Sequence, residues 1–239
     1  FMMSLFGKAV DGVTSEIANR VALTPRVPAW SRLKGTIGPT LVEQVLGFQY
    51  VSPNWSEDRG FSRGKLVSFV HRECDVPACH MLSLMWGAGF PALYLHKNLH
   101  PVTHRRGGDL YGPTNVHYHR HVLKMVRAGN RAVKFDPTNP AHRALPDDYL
   151  RFAAEIETPV LLVTGDKNRV FADSNIVCHR ELERRAPGRH ELHVFKEYGH
   201  QDVFMGKNVA VDIFPRFLEF LDKHRAPAPP RELAATAGA

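Results

Sequence analysis

TPVLLVTGD, residues 158–166, is the stretch on which the fold turns. A short continuous apolar run, entered through a proline and left through Gly165-Asp166, suits a strand buried on both faces of a parallel sheet. The downstream sequence extends this reading. SNIVCHRELERRA (174–186) has the composition of a helix, with Ser174 or Asp173 at its N-cap and Pro187-Gly188 as its stop. HELHVFKEYGH (190–200) alternates and predicts the next strand. KNVAVDIFPRFLEFLDKH (207–224) predicts a closing helix with Val211, Phe214, Leu218 and Leu221 on its apolar face. Strand, helix, strand, helix is the order of an α/β fold with a mostly parallel sheet and flanking helices.

Upstream, VTSEIANRVAL (13–23) is β-branched and partly alternating, which predicts a strand ended by Thr24-Pro25. FMMSLFGKAV (1–10) carries an apolar stripe with no capping residue in front, and Asp11-Gly12 stops it. A helix is therefore expected to begin before Phe1, and the chain to be a fragment of a longer protein. From Arg26 to about Ala154 the pattern changes to short helical pieces broken by Pro and Gly, with nine of the fourteen histidines. Such an irregular insertion between α/β segments predicts a helical cap or lid. The expected organisation is a core helix and strand over 1–25, a cap over 26–154, a C-terminal α/β core over 155–225 and a disordered tail over 226–239.

Composition narrows the function classes. The 239 residues are 44% hydrophobic and 23% charged, ordinary for a globular chain. The formal charge of +7 comes from 31 Lys and Arg scattered among 24 acids without long basic blocks, so no nucleic-acid partner is expected. No apolar run approaches about 18 residues, which argues against a transmembrane segment. Three cysteines, Cys74, Cys79 and Cys178, make no even disulfide framework and predict a reducing, cytoplasmic setting.

In open parallel sheets the working side chains stand past the carboxyl ends of the strands, where loops converge. Two such loops matter here, TGDKNRVF and YGHQDVFMGK. An acid on one and a histidine on the next follow the order of the last two members of an α/β-hydrolase triad, Ser…Asp…His. His200 is the candidate general base, and the acid would hold its tautomer and balance the imidazolium. Asp166 is favoured for that acid. Many α/β-hydrolases carry it three places after the strand-end glycine, here Asn168, an amide that could orient an imidazole without balancing its charge; Asp173 lies further down the loop. Asp202, two residues after His200, could equally hold the turn by accepting backbone N–H bonds or take a catalytic role.

YGHQDVFMGKNVAVDIFPRFLEFL (198–221) resembles the C-terminal segment of the hydrolase domain fused behind glucose-methanol-choline (GMC) oxidoreductases of the cholesterol-oxidase type. It is similar, more distantly, to the Tyr-x-His-x-Asp end of acid lipases. LTPRVPAWSRLKG (23–35), CDVPACHMLSLMWG (74–87) and VLKMVRAGN (122–130) also look like that family's cap region. The resemblance implies a partial α/β-hydrolase fold and a serine hydrolase acting on small apolar, lipid- or sterol-like esters. It further implies a catalytic serine on an elbow just before a helix like FMMSLFGKAV, hence upstream of Phe1, and a flavin oxidase domain earlier in the parent chain. No G-x-G-x-x-G follows a strand here, so no flavin or other cofactor is expected in this segment.

RGFSRGK (59–65) matches the G-x-S-x-G pattern of a nucleophile elbow at Ser62. The polar VSPNWSEDRG before it does not supply the buried strand that strains such a turn, so a cap loop is expected instead. Cys74-x4-Cys79-His80, with His71 nearby, could begin a zinc site. A structural site usually takes two tight ligand pairs, and a second pair is not evident in the sequence, so no metal is expected. His117, His119 and His121 lack a neighbouring carboxylate or thiolate and predict a half-exposed cap surface. MLSLMWGAGFPALYL (81–95) would either line an acyl or sterol pocket or pack as core.

Overall fold

The computed structural model describes residues 12–19, 23–54, 73–89 and 91–225. The helix expected over 1–10, the Ser62 loop, His71 and the tail after Arg225 lie outside the described residues. In chain order the strands are β1 (Glu16–Asn19), β2 (Tyr50–Val51), β3 (Thr114–Asn115), β4 (Val160–Gly165) and β5 (Glu191–Phe195). The α-helices are α1 (Ala29–Thr40), α2 (Pro77–Met85), α3 (Pro101–Arg105), α4 (Gly107–Leu110), α5 (Val116–Arg127), α6 (Ser174–Glu183), α7 (Asp202–Met205), α8 (Val209–Asp212) and α9 (Phe214–Lys223).

The main sheet is parallel throughout, in the order β1-β4-β5. Ala18 pairs with Leu162, which pairs with Leu192, and Gly165 closes the ladder against Phe195. All six residues of β4 are buried, the physical reason its sequence reads as an unbroken apolar run. Its side chains alternate between two cores. Val160 and Leu162 join Ala18, Ile156, Cys178 and Leu182 on one face. Leu161 and Val163 join Phe195, Val203, Ile213 and Phe220 on the other. Burying each such branched side chain is worth about 1.5–3 kcal/mol, so this central strand and its two layers hold the fold together.

Two local expectations need refinement. Asp173 stands at the N-cap of α6, but neither it nor Ser174 caps the helix through its side chain. The Asp173 carboxylate instead accepts from Arg26 Nε at 2.7 Å, while the Ser174 hydroxyl accepts from the Arg26 N–H at 2.7 Å and donates to its carbonyl at 3.1 Å. The start of α6 is thereby tied to the segment leaving the sheet. The closing helix is also not continuous. Pro215 has no N–H for the preceding turn, and the chain breaks at Ile213 between α8 and α9. The buried face is Ile213, Phe217 and Phe220, whereas Val211, Phe214, Leu218 and Leu221 are exposed. Phe217 meets Phe195 and Phe204 at ring distances of 6.2 and 5.3 Å, and these aromatic contacts set the rotation of α9.

Between β1 and β4 the described chain is mainly helical. The antiparallel pair β2–β3, with Tyr50 opposite Asn115, is a small exception that the sequence did not predict. α1 packs along α5, and Pro39 precedes a π-turn over Leu41–Val45. No helix among the described residues is long and apolar enough to cross a membrane.

Candidate functional site

The loops that leave β4 and β5 meet at one rim of the sheet. Gly165 makes the approach possible, because a Cβ there would lie 2.0 Å from the Tyr198 carbonyl oxygen. The loops are then laced by backbone. The Asp166 N–H donates to Phe195 O at 3.0 Å and the Lys167 N–H to Tyr198 O at 2.9 Å. The Asp166 carboxylate belongs to this lacing: Oδ1 accepts the Glu197 N–H at 2.7 Å and Oδ2 lies 3.3 Å from Lys167 Nζ. No hydrogen bond or ion pair joins Asp166 to His200 among the described residues.

The other two acid-position candidates are equally committed. Asn168 Oδ1 accepts from the Val170 and Phe171 N–H groups at 3.0 and 3.2 Å, and its amide donates to Thr164 Oγ1 at 3.1 Å. It shapes the loop that carries Phe171. Asp173 is held by Arg26.

His200 is buried at the same rim, its ring 5.8 Å from that of Phe171. Asp202 holds the turn. Both carboxylate oxygens accept the Gly199 N–H, at 2.9 and 3.0 Å, and Oδ2 also accepts from Asn98 Nδ2 at 2.6 Å. Burial pushes the Asp202 carboxyl upward, and the Gly199 N–H and the Asn98 amide act against it. Gly199 is required here because a Cβ would stand 2.7 Å from Asp202 Oδ1 and 3.3 Å from Tyr94 Cα. The Gln201 N–H donates to Leu93 O at 2.7 Å, fastening the turn to the helical segment. The Tyr198 hydroxyl donates to Asp212 Oδ2 at 2.7 Å, and burial is the first cause of its raised pKa.

Phe171 also lines an apolar cavity of about 410 Å³ between α1, α2 and α5. Met81, Leu84, Met85 and Trp86 contribute to it, whereas Leu82, Leu93 and Tyr94 pack into a core cluster, so the 81–95 stretch divides between cavity wall and core. Two ionisable groups reach this wall. Burial pushes the Lys34 ammonium down to about 8, and it donates to Leu84 O at 2.7 Å. His119 is pushed down to about 4 by burial and by Lys34, and its ring lies 4.9 Å from Trp86. His117 lies against Phe135 at 3.9 Å, and His121 Nε2 is 2.8 Å from Val133 O. These three histidines therefore do not converge on one metal.

A different set does converge. Cys74 and Cys79, at the entry and first turn of α2, meet His96 and His104, which come from a 3₁₀ turn over His96–Asn98 and from α3. The second pair is spaced His-x7-His across two short helices, and only the histidine richness of the segment signalled it in the sequence. His80, adjacent to Cys79, points its Nε2 to the Cys74 carbonyl at 2.8 Å.

No protein-family profile matches the chain, and no curated protein matches it. Among solved structures it is similar to a monoacylglycerol lipase from Paleococcus ferrophilus, with 13% identity and a TM-score of 0.46 over 93% of this chain and 63% of that one. It is similar also to BpoC of Mycobacterium tuberculosis H37Rv, a non-heme bromoperoxidase candidate, with 14% identity and a TM-score of 0.43 over 92% and 63%. A hydrolase candidate from Bacillus subtilis overlaps less, with 14% identity and a TM-score of 0.30 over 67% and 46%. The chain spans about 63% of the length of the first two proteins.

Proposed function

We propose that this chain forms the C-terminal part of a serine α/β-hydrolase that cleaves esters of apolar, lipid- or sterol-like compounds. One observation carries the reading: adjacent parallel strands β4 and β5 deliver their loops to a common rim, where His200 sits against Phe171, a wall of an apolar cavity. A cavity of about 410 Å³ lies in the range of small-molecule sites, roughly 300–1,000 Å³.

In this reaction His200 takes the proton of a serine hydroxyl as the oxygen attacks the ester carbonyl. It then returns that proton to the departing alkoxide, leaving an acyl-serine. Water repeats the cycle in reverse and frees the acid. The serine and the amides that stabilise the oxyanion are assigned to an elbow upstream of Phe1 in the parent protein, as the GMC-type resemblance implies. In the alternative in which the parent is a GMC-type fusion, a flavin oxidase domain earlier in that chain would perform any oxidation. Asp166 is the acidic member of the rim and acts through the loop, as a positioning residue: its grip on the Glu197 N–H sets the segment running into His200.

A second reading, a non-catalytic hydrolase-like module, is favoured by that engagement of Asp166 and by the amide at position 168. A fluorophosphonate probe and a short ester substrate, applied to the full-length parent protein, separate the two. The hydrolase reading expects labelling and turnover, both abolished in His200→Ala and retained in Ser62→Ala. A His200→Ala protein of undiminished activity removes the assignment.

A further inference from the structure

We propose that Cys74, Cys79, His96 and His104 form a structural zinc site that staples the start of α2 to the strap over residues 93–104. One ligand atom from each of the four lies within 4.8 Å of every other. Around a tetrahedral zinc ion, with Zn–S of about 2.3 Å and Zn–N of about 2.0 Å, two thiolates and two imidazoles stand about 3.3–3.8 Å apart. Cys79 Sγ and His96 Nε2 are already at 3.3 Å, and the remaining pairs need to close in by no more than about 1.5 Å.

Independent features agree. His104 Nε2 is buried and has no hydrogen-bond partner among the described residues, an unsatisfied state that a metal bond would relieve. Glu73 Oε2 lies 3.7 Å from His96 Nδ1, on the side of the ring away from Cys79, where a carboxylate orients a ligating histidine. Two thiolates and two neutral imidazoles also cancel the charge of a divalent zinc ion, and such a neutral centre is tolerated in the cluster of Cys79, Leu82, Leu93, Tyr94 and Leu99. Binding breaks two S–H bonds, forms two Zn–S and two Zn–N bonds and releases two protons to water. All four ligands come from protein, so no position stays open for substrate and the role is structural.

The strap is the piece that backs the His200 turn. Leu93 O accepts the Gln201 N–H at 2.7 Å, and Asn98 donates to Glu197 O and to Asp202 at 2.7 and 2.6 Å. A metal at His96 would thus fix the support of the rim.

The test uses the whole chain, purified under reducing conditions from zinc-supplemented medium, and its readouts do not depend on hydrolysis. The expected results are close to one zinc per chain by elemental analysis and, after exchange with Co²⁺, the thiolate charge-transfer and strong d–d bands of a tetrahedral site. His104→Ala should lose the metal, and Glu73→Gln should weaken it by about tenfold. A chelator should lower the melting temperature of the unaltered chain. Because Cys79→Ser could fail to fold, the cobalt spectrum of the unaltered chain decides on its own. A metal-free chain whose Cys74 and Cys79 react fully with maleimide, or are joined in a disulfide, overturns the proposal. So does a folded His80→Ala variant that loses the metal while His104→Ala keeps it.

Discussion

Replacing Asp202 by Ala should destabilise the protein by about 3 kcal/mol, a magnitude that follows from the groups the carboxylate satisfies. The residue has no solvent exposure. Its loss orphans the Gly199 N–H and removes one of the two acceptors of the Asn98 amide, which keeps Glu197 O. An orphaned buried donor costs about 1–3 kcal/mol and a lost hydrogen bond to a charged group about 1.5–3 kcal/mol, together roughly 2.5–6 kcal/mol. Burial works the other way: it raises the Asp202 pKa, so the ionised group is itself held at some expense that alanine removes. The balance falls near the lower middle of the range. Urea unfolding at neutral pH reads it directly, and with a slope of about 2 kcal/mol per M the midpoint should fall by about 1.5 M. Asp202→Asn keeps the size and can still accept the Gly199 N–H, so it should retain about half of the loss. A double-mutant cycle with Asn98→Ala should show a coupling of at least about 1 kcal/mol. A midpoint shift below about 0.3 M for Asp202→Ala, or no coupling to Asn98, would refute the claim that this carboxylate holds the turn.

Two further outcomes follow from the same structure. His190 is buried at the entrance to β5 with neither ring nitrogen hydrogen-bonded among the described residues, and burial pushes it down to about 4 from an ordinary 6.5. The unfolded chain therefore binds the proton more readily, so stability is full above about 6.5 and is lost as pH falls toward 4. Between pH 7 and pH 5 this one group should remove about 2 kcal/mol, and His190→Leu should shrink the stability difference between those pH values by that amount; equal pH dependence in the two proteins would contradict the burial argument. Gly165→Ala places a methyl group against the Tyr198 carbonyl and should cost at least about 2 kcal/mol by chemical denaturation. A neutral effect would mean that the two rim loops are not in contact.

How much of this was legible depended on the range of the forces involved. β4 could be read from nine residues because a strand covered on both faces must be apolar at every position, and the structure buries all six of its residues. The role of Asp202 was legible in part: an acid two places past His200 can reach back to the Gly199 N–H, which is local, whereas its bond from Asn98 is a product of tertiary packing. The rotation of α9 was not legible. Two adjacent stripes, 213/217/220 and 214/218/221, are both apolar, and the choice is made by Phe195 and Phe204 from elsewhere in the chain. The direction of the Asp166 side chain escaped for a similar reason, since strand order brings the acid to the rim but a competing N–H at Glu197 turns it. The Cys/His cluster was half visible: the Cys74-x4-Cys79 pair at the start of α2 is a sequence motif, whereas its meeting with His96 and His104 is a product of tertiary packing.

The position of the imidazole at the rim is a joint product of the sheet and the helical segment, and the contacts divide the work. β5 brings the chain to the rim, and the Asp166 clamp sets the approach through Glu197. From there the restraints change origin. Gly199 lies against Tyr94, Gln201 is bound to Leu93, Asp202 is bound to Asn98, and the Lys207 N–H donates to Asn98 O at 2.7 Å. All of these partners lie on the single strap 93–98. A sheet alone would leave His200 on a loop with ordinary loop freedom, whereas this arrangement makes the strap part of the imidazole's support. The same segment belongs to the core cluster that includes Val170 and touches Phe171, the residue shared by His200 and the apolar cavity. Displacement of the strap would therefore move the candidate base and the wall of its candidate substrate pocket together, which ties reactivity at the rim to the integrity of the helical segment.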